Sequence, residues 1–304
     1  MNDHTDERGE TVGPPVLADR LVQRSLLLTS QVLGWVIGEG ECLSHAAVHD
    51  IRVATKQLRA AWRLLKHAAP VPAAEARTRL RDVHHLLAAG RRQTALRGTL
   101  EALLAKARND ADRAALQALL DALPMASGVQ IGLVAAAEIG GCFRAESQAW
   151  RQLALACPDA ALCAAVTAGY RRARRSANRA RRRASATAHH RLRRRVKGLL
   201  YQADLLFDPP LAGASIQLAA LARVAAVLGE VQDLSDLQAH AVATVANDEV
   251  RRRVSRLLQR RIANRIGRAD KLSAVAFAIV PARFARALAV AVPVDPAPAA
   301  ATHP

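Results

Sequence analysis

Five side chains suited to binding phosphate stand at helical spacing in "VHDIRVATKQLRAAWRLLK": His49, Arg52, Lys56, Arg59 and Arg63. At about 100° per residue they fall within an arc of roughly 80°, and Ile51, Leu58, Trp62 and Leu65 take the opposite side. Arginine offers a planar fork of donors to anionic oxygens, and lysine offers a point charge. A histidine at the head of such a stripe can donate to the same ligand, gaining charge as pH falls toward about 6.5. It can equally be a structural histidine bonded to a neighbouring helix, and the residues leave that choice open for His49. Like charges four residues apart repel each other. A solvated helix face relieves this with interleaved acids, yet Asp50 is the only acid from residue 42 to 74. Asp50 sits at the helix start, where an anion favours the helix dipole. A stripe so uncompensated expects its counter-charge from a polyanion.

A second stripe occurs in "HRLRRRVKGLLY", where His190, Arg193, Lys197 and Tyr201 share a side backed by Leu192, Val196 and Leu199. Both stretches read His, Arg three later, Lys four after that and Leu two further on, and Gly90 and Gly229 follow at closely similar distances. The pattern implies two related helical halves with a junction near 125 to 160. Upstream of the second copy, "YRRARRSANRARRRASATAHHRLRRRVKGLLY" belongs to a stretch without Asp or Glu from 160 to 203. Arg172, Arg175, Arg179, Arg182 and Arg183 keep helical spacing and form a further cationic stripe. The run either continues into the second copy or breaks at "SATA", where Thr187 could cap a new helix.

Other chemistry is sparse. His45 and His49 have the i,i+4 spacing of metal ligands, but no acidic or cysteine cluster accompanies them, and "HH" at 84 to 85 is a weaker signal. There is no nucleophile motif, glycine-rich phosphate loop or paired-carboxylate arrangement. No catalytic residue, metal or cofactor is therefore expected. The four cysteines, Cys42, Cys142, Cys157 and Cys163, lie far apart without a C-x-x-C pair, and read as small buried thiols in a reducing compartment.

The elements that position these residues are helical throughout. Of 304 residues 51% are hydrophobic but only 3% aromatic, so the core must be built from Ala, Leu and Val, which suit closely packed helices. Breaks at "GEGE", "APVP", "ALPMASG", "ACPD", "FDPPLAG" and "AND" imply about nine to twelve helices with short connections, hence antiparallel bundles. Residues 1–15 and the Pro/Ala tail 291–304 read as disordered, leaving 16–290 as the helical domain. Lys and Arg number 44 against 26 acids, a formal charge of +18 with a pI near 11.3. That balance predicts a polyanionic partner: nucleic acid, an anionic membrane or a phosphate polymer. The polar, acidic N-terminus is unlike a signal peptide, and no uncharged apolar run reaches transmembrane length. The expectation is a cytoplasmic protein with no membrane partner.

"VHDIRVATKQLRAAWRLL", "HRLRRRVKGLLYQADLL" and "LGEVQDLSDL" resemble the two halves of the CHAD domain, the conserved histidine α-helical domain, over roughly residues 20 to 290. The first copy is similar to the family's H-x-x-R-V-x-x-[RK]-x-L-R through His49, Arg52, Val53, Lys56, Leu58 and Arg59. The resemblance implies two pseudo-symmetric antiparallel helical bundles around a basic central cavity that binds inorganic polyphosphate. It implies phosphate contacts from His49, Arg52, Lys56 and Arg59, and from His190, Arg193, Arg194 and Lys197, with Tyr201 matching the family's tyrosine. Arg63 extends the first stripe, and Arg175, Arg179 and Arg183 are added as binding candidates from the arginine run. The sequence departs from the family where Leu200 replaces an arginine, and where Gln93 and Thr94 stand in the places of an Arg and an Asp. The second-half acids correspond to Asp233 and Asp236, either orienting basic residues or capping a helix start. These departures mark a divergent member. The reading is a non-catalytic polyphosphate-binding protein with an association with polyphosphate granules. Its rival is nucleoid-type nucleic-acid binding through the 170 to 197 run, against which stands the lack of interleaved aromatics for base stacking. An enzyme acting on phosphate polymers would need metal-binding carboxylates, and the sequence offers no cluster of them.

Overall fold

The computed structural model describes residues 16–38, 43–87, 89–123, 133–208, 215–290 and 292. The terminal segments expected to be disordered lie outside these except for residue 292, as do Cys42 and most of the expected breaks near 40, 125 and 210. Among the described residues there are eleven helices and no strand: α1 (Val16–Gly38), α2 (His45–Leu64), α3 (Pro70–Leu86), α4 (Ala89–Leu104), α5 (Asp110–Asp121), α6 (Leu133–Arg151), α7 (Asp159–Arg183), α8 (Ala186–Leu206), α9 (Ser215–Thr244), α10 (Asp248–Ala276) and α11 (Pro281–Ala289). No single one of them is long and apolar enough to cross a membrane.

Local chemistry sets the boundaries. Ser44 accepts from Ala47 N to cap α2, Asn109 accepts from Asp112 N to cap α5, and Asn247 caps α10. Such caps satisfy amide donors that the first turn leaves unpaired. Pro70 and Pro281 begin α3 and α11, where a missing N–H costs nothing. The arginine run does break before the second copy. Ala184 takes a left-handed conformation, φ 44°, and Ser185 rather than Thr187 accepts from Ala188 N to start α8. The α7–α8 connection is therefore a tight antiparallel hairpin.

Two apolar cores form. The larger draws on α1, α2, α3, α6, α7, α8, α11 and the adjoining parts of α9 and α10. The smaller joins Leu96, Leu100 and Leu103 of α4, Leu116 and Leu119 of α5, Leu234 and Leu237 of α9, and Leu257 and Leu258 of α10. Each core thus takes helices from before and after the 125 to 160 junction. Tyr170 stacks on Phe284 at 4.2 Å and donates its hydroxyl to Ile279 O at 3.0 Å, pinning α11 beneath α7. Cys157 and Cys163 are buried and Cys142 partly so; all three are free thiols. Burial pushes the Cys163 thiol up to about 11, which keeps it protonated and inert.

Candidate functional site

The two His-Arg-Lys copies head α2 and α8, and these helices pack against one another. Their close approach is set by small residues and one amide. Gln202 of α8 is buried, donates Nε2 to Ala60 O of α2 at 3.3 Å, and lies against Gly169 of α7, where a Cβ would come within 3.1 Å of its Oε1. One turn away, a Cβ on Gly198 would stand 3.1 Å from Arg63 Nη1. The Arg63 guanidinium therefore lies directly over α8.

The motif arginines also reach the chain at or near the matched glycines. Arg52 donates Nη1 to Leu87 O at 2.6 Å, at the end of α3 and just before Gly90. In the second half the Arg193 guanidinium lies over Gly229 of α9, where a Cβ would sit 3.9 Å from Nε and Nη2. In both copies the motif arginine reaches the chain near the glycine. His190 donates Nδ1 to Gln232 Oε1, and Gln232 Nε2 donates to Asp236 Oδ1 at 2.8 Å. His190 is thereby oriented, with its other ring nitrogen left for a ligand. His49 is exposed on α2 and lines a cavity of about 480 Å³ together with Asp233.

Around these residues positive charge is concentrated beyond what either stripe supplies. Arg63 keeps solvent-exposed surface although many protein atoms surround it. Desolvation first, then Arg59, Arg194, Arg195 and Arg172, push its guanidinium down to about 10. Arg59 is lowered by desolvation and then by Arg194, Arg81 and Arg77, and Arg172 by desolvation and then by Arg195 and Arg175. The charges acting on these three guanidiniums are all arginines. The Nε atoms of Arg59 and Arg193 are buried with no acceptor among the described residues. The result is a cluster of mutually repelling guanidiniums drawn from α3, α2, α8 and α7.

Of the residues expected from sequence, Arg59, Arg63, Arg194 and Arg175 are brought into this one electrostatic cluster, and Lys56 and Arg52 act on His84 at its α3 edge. Lys197 stands 5.8 Å from the centroid of the Tyr201 ring and also acts on Asp204, further along α8. Arg179 and Arg183 are exposed toward the hairpin turn, and among the described residues no hydrogen bond or ion pair links them to the cluster. Sequence reasoning missed Arg77, Arg81 and His84 of α3, and Arg195 of α8. The α3 residues carry i,i+4,i+7 spacing, but Glu75 and Asp82 interleave with them and give the face an ordinary solvated look.

A buried carboxylate fixes that third helix. Glu146 of α6 is fully buried, and its Oε1 accepts from the indoles of Trp62 on α2 and Trp150, the latter at 3.1 Å. Its Oε2 accepts from Arg79 Nη2 of α3 at 3.2 Å. The two indoles pack at 4.2 Å between centroids. Burial raises the Glu146 pKa against the pull of Trp62, Arg79 and Trp150. No group of three or more His, Cys, Asp or Glu among the described residues could hold a metal ion.

Fold and site together define an all-α protein with a concentrated cationic surface on four helices. The CHAD domain model matches residues 29–242, and the chain belongs to that family, which is generally associated with polyphosphate binding. No curated protein and no solved structure matches the chain.

Proposed function

We propose that the surface on α3, α2, α8 and α7 binds inorganic polyphosphate without chemically altering it. The two halves, about 16–125 and 160–290, present matched stripes on α2 and α8 to one basic central concavity, although each apolar core takes helices from both halves. The observation that carries this reading is Arg63: reachable by solvent, partly desolvated, and surrounded by Arg59, Arg194, Arg195 and Arg172, with no ion pair to a carboxylate among the described residues. A linear phosphate chain supplies one anionic group per residue of polymer, with oxygens for charge-assisted hydrogen bonds from each guanidinium. His49, Arg52, Lys56, Arg59 and Arg63 meet it from the first half, and His190, Arg193, Arg194, Lys197 and Tyr201 from the second. Arg175, Arg179 and Arg183 extend the path along the α7–α8 hairpin. The same exposed arginines support the second reading, sequence-independent contact with a nucleic-acid backbone. Base stacking does not favour it: Tyr170, one of the two tyrosines, is fully buried against Phe284.

The test is the double variant Arg63→Glu/Arg194→Glu, whose two side chains are exposed. Long-chain polyphosphate affinity is expected to fall by at least about tenfold at roughly 0.1 M salt, because each lost cation removes a phosphate contact and adds a repulsion. The helical circular-dichroism signal stays unchanged. Wild-type affinity in a folded double variant would place the contacts elsewhere.

A further inference from the structure

The arginines of α7 divide between two of its sides. At about 100° per residue, Arg172, Arg175, Arg179 and Arg183 fall together on one side, where Arg172 feels Arg195 of α8. Arg174, Asn178 and Arg181 fall on the other, and there a cavity of about 190 Å³ lies between α7 and the end of α10. None of its lining residues is among those proposed to contact polyphosphate. Arg174 is half-buried and donates Nε to Phe277 O at 3.2 Å. Arg181 is exposed and donates Nη2 to Asn178 Oδ1 at 3.2 Å. Neither guanidinium forms an ion pair among the described residues, so donors of both forks remain for a ligand. Ser273, on the α10 wall, is 5% exposed, and its Oγ is buried without a hydrogen-bond partner among the described residues. A hydroxyl so placed has lost water without gaining a bond, a cost that a ligand in the cavity removes. Asp270 completes the polar lining. Its Oδ1 lies 3.2 Å from Nε2 of the buried His189, and its other oxygen accepts no hydrogen bond among the described residues.

Two guanidiniums and a hydroxyl ask for acceptor oxygens, while the carboxylate refuses any oxygen that brings no proton. Sulfate, or an interior phosphate of a chain, carries no proton at neutral pH and sets a lone pair against Asp270. Orthophosphate keeps at least one P–OH there. A ligand ammonium would suit Asp270 but would stand beside two guanidiniums. The cavity is smaller than the sites of drug-sized ligands and suits a single tetrahedral anion. We infer that it binds orthophosphate. Arg174, Arg181 and the Ser273 hydroxyl donate to the phosphate oxygens, and Asp270 accepts from the P–OH. This site lies beyond the polyphosphate reading and does not rest on it.

The experiment is calorimetric titration of the full chain with inorganic phosphate and with sodium sulfate, at about 0.15 M chloride to screen loose surface association. Wild-type protein takes up phosphate, and takes up sulfate at least about tenfold more weakly. Arg181→Gln removes an exposed fork, and Ser273→Val turns methyl groups toward the cavity. Each keeps the helical circular-dichroism signal and weakens phosphate binding at least about tenfold. Ser273→Val changes no charge, so its polyphosphate affinity stays within about twofold of wild type. Arg63→Glu/Arg194→Glu keeps its phosphate binding, so failure of the polyphosphate reading would leave the phosphate results standing. The inference is overturned if wild-type protein takes up no phosphate, or if sulfate binds as tightly. It is equally overturned if either single variant folds and binds phosphate normally, or if phosphate binding disappears with Arg63 and Arg194.

Discussion

Arg63 of α2 and His84 of α3 both feel the charge of Arg59 and respond to it differently. Arg63, at about 10, remains charged at neutral pH, so its tension is relieved by a counter-ion and not by losing a proton. His84 is held below its ordinary value of 6.5 by desolvation first, then by Arg52, Arg59, Lys56 and His85. In the folded, ligand-free protein it stays neutral at a pH where the unfolded chain takes up the proton. Its contribution to stability is therefore present above the unfolded value and lost as pH falls through that value toward the lowered folded one. A phosphate chain cancels the cationic part of this effect and raises the His84 pKa, so binding takes up a proton. Polyphosphate affinity is expected to rise as pH falls from about 7 toward 5.5, and His84→Gln to flatten part of that rise. Identical pH profiles for the two proteins in direct titrations would remove His84 from the site. At this scale the sequence displays the motif residues and hides their neighbours. His49 and His190 read alike, yet one is exposed beside a cavity and the other is oriented by Gln232, which belongs to a helix some forty positions on.

At the scale of elements, α3 becomes part of the site because Glu146 ties it to α2 and α6. The carboxylate takes two indole donors and one guanidinium, so replacing it leaves buried donors unpaired. Glu146→Gln keeps an acceptor for the indoles but turns an amide donor toward Arg79. It is expected to cost about 1–3 kcal/mol in chemical denaturation. A loss below about 0.5 kcal/mol, the ordinary scatter of surface substitutions, would show that the cluster does not hold the helices together. Helical period made nearly every element legible in advance, since Ala- and Leu-rich stretches alternate with capping residues and prolines. The α7–α8 break was ambiguous because Ser185 and Thr187 are both competent caps, and the choice depends on Ala184 turning left-handed. The Trp62–Glu146–Trp150–Arg79 cluster was invisible for a different reason: it joins three helices, and no spacing within any one of them announces it. Arg77, Arg81 and His84 were hidden by the acids interleaved on their own helix, whereas the charges that matter to them lie on α2 and α8.

For the whole molecule, an excess of +18 is carried by a fold whose two apolar cores each join helices from both sides of the central junction. Burial in these cores holds α2, α7 and α8 together at a place where their arginines repel. The folded state therefore stands under electrostatic strain that salt screens and a polyanion removes. Any polyanion gains from net charge alone. The proposed reading is that the arginine cluster favours a slender chain with one charge per monomer over a rigid duplex. The most direct measurement is competition between long-chain polyphosphate and duplex DNA, at equal phosphate concentration, as salt is raised from about 0.05 to 0.3 M. Polyphosphate is expected to stay bound against DNA throughout, with both affinities falling as salt rises. Ready displacement of polyphosphate by DNA at any of these salt concentrations would contradict the central claim and give the arginine surface to nucleic acid instead.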